Sequence, residues 1–117
     1  MKILLAAAAA SALVLTATPA SAAAPEGWDC DQAHLCLYAD TGYRDKRLDT
    51  VEPGCVDLAD YELKDHVWSY FNNNMLWVAG LYTANSDAAV DYLEPGEMSD
   101  DSTAYTTVDY MCFGMPG

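Results

Sequence analysis

The chain has 117 residues, with 18 Asp and Glu against 5 Lys and Arg and a formal net charge of −13. That balance lacks the basic footprint phosphate binding needs, which disfavours nucleic acid and anionic membrane surfaces as partners. The length allows one domain once a leader is set aside.

Residues 1–22, MKILLAAAAASALVLTATPASA, read as a secretory signal peptide: Lys2, an apolar run from Ile3 to Leu15, then small residues with the cut after Ala22. The apolar run is shorter than the roughly 20 residues that span a bilayer. Residues 23–117 are expected as one soluble, exported domain whose only basic side chains are Arg44, Lys46, Arg47 and Lys64.

Short apolar or aromatic segments then alternate with turns, and no long helical pattern appears. HLCLYA (34–39) predicts a strand, followed by the turn DTG; KRLDTV (46–51) alternates and stops at Pro53-Gly54; CVDL (55–58) is a short third strand. HVWSYF (66–71) ends at Asn72–Asn74, MLWVAGLYT (75–83) is long and apolar, AVDYL (89–93) stops at Pro95-Gly96, and AYTTVDYMCF (104–113) closes the chain. Richness in Val, Tyr, Trp and Thr favours strands, and near-even spacing predicts an antiparallel sandwich or barrel. The pairs Trp68/Tyr70 and Leu76/Val78, two apart, are assigned to core faces. Trp28, Trp68 and Trp77 therefore read as structural; exposure decides whether Tyr92, Tyr105 and Tyr110 are available for binding.

Four cysteines, an even number in a small exported chain, read as two disulfides. Three pairings are possible. The spacing favours Cys30–Cys36 as a local clip and Cys55–Cys112 as a tie from the middle to the C-terminus.

Two stretches share their ends. LYADTGYRDKRLDTVEPG (37–54) and LYTANSDAAVDYLEPG (81–96) both run from Leu-Tyr to Glu-Pro-Gly. Each is followed by an acidic stretch and then an aromatic, β-branched segment. The chain thus divides near 33–74 and 75–113 into two halves of about four strands, expected to pack as a Greek-key sandwich.

CLYADTGYRDKRL resembles the start of a βγ-crystallin Greek-key motif: Tyr, four residues, an aromatic, one residue, then Gly. Tyr38 and Tyr43 match, and Asp45 holds the Gly position. LKDHVWSYFNN resembles that motif's fourth strand, with Asp65 and Ser69 matching and Lys64 and Trp68 departing. In the second half Tyr82 keeps its place, while Asp87 and Ala89 stand where the aromatic and Gly would be. Together with the leader and WDCDQAHLCLY, these features are most similar to secreted proteins of the streptomycete metalloproteinase inhibitor-type peptidase inhibitor family. The resemblance implies an all-β, βγ-crystallin-like Greek-key sandwich with two four-stranded motifs in one domain, over residues 23–117.

The resemblance implies two kinds of chemistry. Calcium would use oxygens from the fourth-strand stretches, with Asp65, Ser69, Asp100 and Asp101 as candidates. A hard cation wants six to eight oxygens, yet Lys64 and Trp68 remove ligands from one half, and SerThrAlaTyrThrThr (102–107) lacks carboxylates in the other. Protease inhibition would use a strand-connecting loop in the second half, and Thr83, Ala84, Asn85, Ser86 and Asp87 occupy it without an enclosing cysteine pair. No enzyme is expected, because His34 and His66 are far apart and no nucleophile motif accompanies either. The expected function is a secreted inhibitor of metalloproteases, acting by loop binding without a cofactor, with a secreted protease as partner. The alternative is a non-inhibitory extracellular structural or stress-related module with weak calcium affinity.

Overall fold

The computed structural model describes residues 29–116; the signal peptide assignment and Trp28 lie outside the described residues. Eight strands follow in order: β1 (Leu35–Asp40), β2 (Arg44–Thr50), β3 (Gly54–Asp57), β4 (Ser69–Asn72), β5 (Trp77–Tyr82), β6 (Ala89–Leu93), β7 (Met98–Ser99) and β8 (Tyr110–Pro116). One 3-10 turn, Leu58–Tyr61, follows β3, with the Asp57 carboxylate accepting from Ala59 N–H at its start. The all-β Greek-key sandwich expected from the motif is the observed fold.

Two four-stranded antiparallel sheets form, in the orders β2-β1-β4-β7 and β3-β8-β5-β6. Each half contributes its first, second and fourth strands to one sheet and sends its third strand to the other. β3 pairs with β8, and β7 pairs with β4. Neither half can therefore close its own sheet, which is why two incomplete units make one core.

The Leu-Tyr repeat marks equivalent positions in three dimensions. The β1–β2 pairing shifts register between Leu37 and Tyr38, and the β5–β6 pairing shifts between Leu81 and Tyr82. A bulge at this point bends and twists each hairpin in the same way. Both Glu-Pro-Gly stretches fall where the chain crosses between sheets, before β3 and before β7. Gly54 and Gly96 there have φ of 136° and 81°, conformations that L side chains avoid.

The main core collects Leu35, Leu37, Leu48, Leu58, Leu63, Val67, Tyr70, Leu81, Leu93, Val108, Met111 and Phe113, all buried. On β1 the opposite face is buried too, because Cys30, Cys36 and Tyr38 pack together with Tyr43 and Phe71 beneath the segment entering the fold. This two-sided burial explains the unbroken apolar run Leu35–Ala39. Cys30 is bonded to Cys36, and Cys55 to Cys112 across the β3–β8 pair.

Several expectations need correction. On β5 the main core takes Ala79 and Leu81, with half-buried Trp77 packed against it; Val78 is buried outside that cluster, and Leu76 is not part of the core. Leu76 is 72% exposed and precedes the strand. The Asn74 side-chain oxygen accepts from both Leu76 N–H and Trp77 N–H, a local turn after which β5 begins at Trp77, two residues later than expected. Residues 66–68 and 104–109 are also irregular rather than strand; their backbones bond to loops and strand ends, as in Trp68 N–H to Tyr38 O and Asp109 N–H to Tyr82 O. The two-residue strand β7 is too short to leave an alternating pattern in the sequence.

Candidate functional site

The connections β1–β2 and β5–β6 occupy equivalent positions in the two halves but are built differently. In the first, Gly42, Tyr43 and Asp45 all have φ near +60° to +70°, folding the hairpin back on itself. Asp is among the few non-glycine residues that tolerate this region, so Asp45 can replace the motif glycine. Ser69, fully buried on β4, holds the fold: its hydroxyl donates to Asp40 O at 2.6 Å and accepts from Tyr43 N–H at 3.1 Å. The Tyr43 ring then meets Tyr38 edge-on at 5.7 Å. Arg47 grips the Asp45 carboxylate through two bonds of 2.8 and 3.0 Å and also reaches Glu62. That guanidinium holds the Asp45 carboxyl below the usual carboxylate range.

In the second half none of residues 83–88 has a positive φ. Thr83 is half-buried and Ala84 to Ala88 are all exposed. Inside the loop, Ser86 N–H donates to Thr83 O at 3.4 Å and Ala88 N–H to the Ser86 hydroxyl at 3.0 Å. At its base, Ala84 N–H donates to the Asp109 carboxylate at 2.7 Å. The candidate residues Thr83, Ala84, Asn85, Ser86 and Asp87 thus form the tip of the β5–β6 hairpin, attached to the body at one end.

The calcium candidates are placed as follows. Asp65 accepts Val108 N–H at 2.8 Å, and Ser69 is engaged in the first hairpin. The Asp101 carboxylate takes both the hydroxyl and the N–H of Thr103, which keep its carboxyl below the ordinary range. Asp100 contributes its backbone carbonyl to Gly42 N–H. Among the described residues no group of three or more His, Cys, Asp or Glu is arranged to hold a metal. The second-half counterpart of Lys64–Ser69 is Tyr105–Tyr110, three residues beyond the stretch 102–107. Trp68 N–H to Tyr38 O matches Asp109 N–H to Tyr82 O, and Ser102 N–H to Trp68 O matches Leu58 N–H to Asp109 O. Position 65 is therefore matched by Thr106, not Thr103.

Beside the first hairpin lies a shallow, open depression of about 400 Å³, lined by Asp45, Arg47, Glu62, Lys64 and His66. His66 stacks on Trp68 with centroids 4.0 Å apart. His34 is elsewhere, on the outer face of the first sheet, in contact with Asp49. The ambiguous tyrosines divide: Tyr105 packs on the core and donates to Asp91, Tyr110 stacks on Tyr82 at 5.0 Å, and Tyr92 is 46% exposed. The tyrosines thus form no continuous exposed row.

Sequence reasoning missed Asp109 as the acceptor at the loop base. Superposing Val67-Trp68 on Val108-Asp109 would have placed it opposite Tyr82. No curated protein and no solved structure matches this chain. The profile of peptidase inhibitor family I36 matches residues 23–90, a stretch containing the first motif and the β5–β6 loop. With more than half of its length covered by that match, the chain belongs to peptidase inhibitor family I36.

Proposed function

We propose that the protein inhibits an extracellular metalloprotease stoichiometrically, docking through the tip of the β5–β6 hairpin, Thr83–Asp87. Family membership supports a protease as the partner. The observation that carries the loop assignment is its construction: five consecutive exposed residues, Ala84 to Ala88, between two paired strands. The loop base is attached to the body by the Ala84–Asp109 bond. A loop already ordered in the free protein loses less conformational entropy on docking, so more of its contact energy appears as affinity. No cofactor takes part in this reading. Two disulfides fit a protein that acts after export.

The test is active-site titration of a thermolysin-like metalloprotease, a serine protease and a cysteine protease with the purified protein. The metalloprotease is expected to lose activity at one-to-one stoichiometry. Replacing residues 83–87 with Gly and Ser, at unchanged length, should weaken inhibition at least about tenfold while the melting temperature holds, since few hot-spot contacts dominate such interfaces. Inactivity against every protease, or full potency in the replaced loop, would overturn the reading.

A further inference from the structure

We propose that Asp109 is the positioning residue of the inhibitory loop, its carboxylate acting as an uncrosslinked tether for Thr83–Asp87. The proposal rests on the reading of that loop as the docking surface. Asp109 stands immediately before β8 and makes four separate attachments. Its N–H donates to Tyr82 O at 2.7 Å, fixing the last residue of β5. Its carbonyl accepts from Leu58 N–H at 3.0 Å, fixing it to the 3-10 turn of the first half. The two carboxylate oxygens divide the rest. Oδ2 accepts from Ala84 N–H at 2.7 Å, and Oδ1 faces the Lys64 ammonium at 3.7 Å.

A hydrogen bond to an ionised acceptor is roughly twice as strong as a neutral one. The Asp109 side chain is 20% exposed, and its bond to Ala84 N–H lies at the surface. The first half has no equivalent device. Trp68 occupies the matching position with the same backbone bond to Tyr38 O, but an indole cannot accept. There the tethering falls to Ser69, whose counterpart Tyr110 stacks on Tyr82 instead. Lys64 gains a role as well, because the departure that spoils a cation-binding pattern supplies the counter-charge that turns the Asp109 carboxylate toward the loop. The tether thus belongs to the loop's own half, and the first half adds the Lys64 charge beside it.

The experiment is amide hydrogen exchange by NMR on the free, full-length protein, followed by inhibition assays. In Asp109→Ala the Ala84 amide is expected to exchange about tenfold faster or more, while Gly80 and Leu81 in β5 keep their protection. Asp109→Asn retains an acceptor oxygen but loses the charge that strengthens the bond and faces Lys64, and should restore only part of the protection. Lys64→Met, at a position 58% exposed, should speed Ala84 exchange by about two- to fivefold. Against a protease that the wild type inhibits, Asp109→Ala should weaken inhibition about tenfold through faster dissociation, and Asp109→Asn should fall between Asp109→Ala and wild type. An unchanged Ala84 rate in both Asp109→Ala and Lys64→Met overturns the proposal. So does a uniform loss of protection across β5 and β8, which would make Asp109 a stabiliser of the fold alone. Exchange is read without a protease, so absence of inhibition would remove the loop assignment and leave the tether decided separately.

Discussion

Three consecutive asparagines join the two halves, and each amide bonds to a different part of the fold. Asn72, fully buried, donates through Nδ2 to Trp77 O at 2.8 Å and Leu93 O at 2.9 Å, and its Oδ1 accepts from Asn74 N–H. Asn73 donates to Cys30 O, and Asn74 donates to Ala33 O while ordering Leu76 and Trp77. In the sequence these residues read only as the end of a strand, because an amide's partners lie up to 43 positions away. Removing a buried donor leaves its acceptors unsatisfied, at about 1–3 kcal/mol per orphaned group. Asn72→Ala should therefore lose about 2–4 kcal/mol in urea denaturation, and Asn72→Asp, which turns a carboxylate toward two carbonyls, at least as much. A loss under about 1 kcal/mol for both would mean that water replaces the amide. By contrast, Asp45 was legible: the motif spacing placed a glycine-like position there, and its φ is 61°.

At the level of elements, the exchange of third strands makes β3 the test of how the halves cohere. β3 is four residues long, largely exposed, and paired only with β8. Cys55 is bonded across that pair to Cys112, 57 residues away. Closing so long a loop contributes about 4 kcal/mol in the chain-entropy model, against about 2 kcal/mol for the six-residue separation of Cys30 and Cys36. Replacing Cys55 and Cys112 together by Ser should lower stability more than replacing Cys30 and Cys36, read as denaturant midpoints. The reverse order would show that the entry segment covering Tyr38 matters more than the strand exchange. Strand existence was largely visible in the alternation of short apolar runs with turns, and β6 was bounded correctly at 89–93. The parity of β5 was not, because an apolar run such as MLWVAGLY offers two possible inward faces. The pairing of β5 with β6 and β8 sets which face meets the other sheet.

For the whole molecule, the same device occurs three times, twice side by side where Tyr70 stacks on Tyr105: a buried or half-buried phenol donating to a carboxylate. Tyr38 donates to Asp29 across the entry segment, Tyr70 to Glu97 beside β7, and Tyr105 to Asp91 on β6. Burial first, and the adjacent carboxylate second, push all three phenols up, Tyr105 to about 12 and the other two further. In the unfolded chain a tyrosine ionises near 10. Below that pH all three are protonated in both states and their contribution to stability is complete. As pH rises from about 10 toward 12, the unfolded chain releases protons that the fold retains, and stability falls. The melting temperature should hold to about pH 10 and drop steeply above it, with the 295 nm phenolate band appearing together with unfolding. Phenolate absorbance rising in full while the fold persists would contradict the burial of these groups.

What the sequence determined by itself was the frame. Composition disfavoured a polyanion as partner, turn residues at regular intervals divided the chain into short strands, and the repeated Leu-Tyr and Glu-Pro-Gly ends revealed a duplicated unit whose bulges and crossovers coincide with those residues. Such features are local, written in propensity and spacing, and survive in one dimension. The tertiary structure alone decided which strands exchange sheets, which face of β5 is inward, and which side chain holds the β5–β6 loop. Asp109 lies 25 residues from Ala84, and no periodicity links the two. Their bond exists because β8 returns beside β5 in the second sheet, and that pairing sets Asp109 next to the end of β5 where the loop begins.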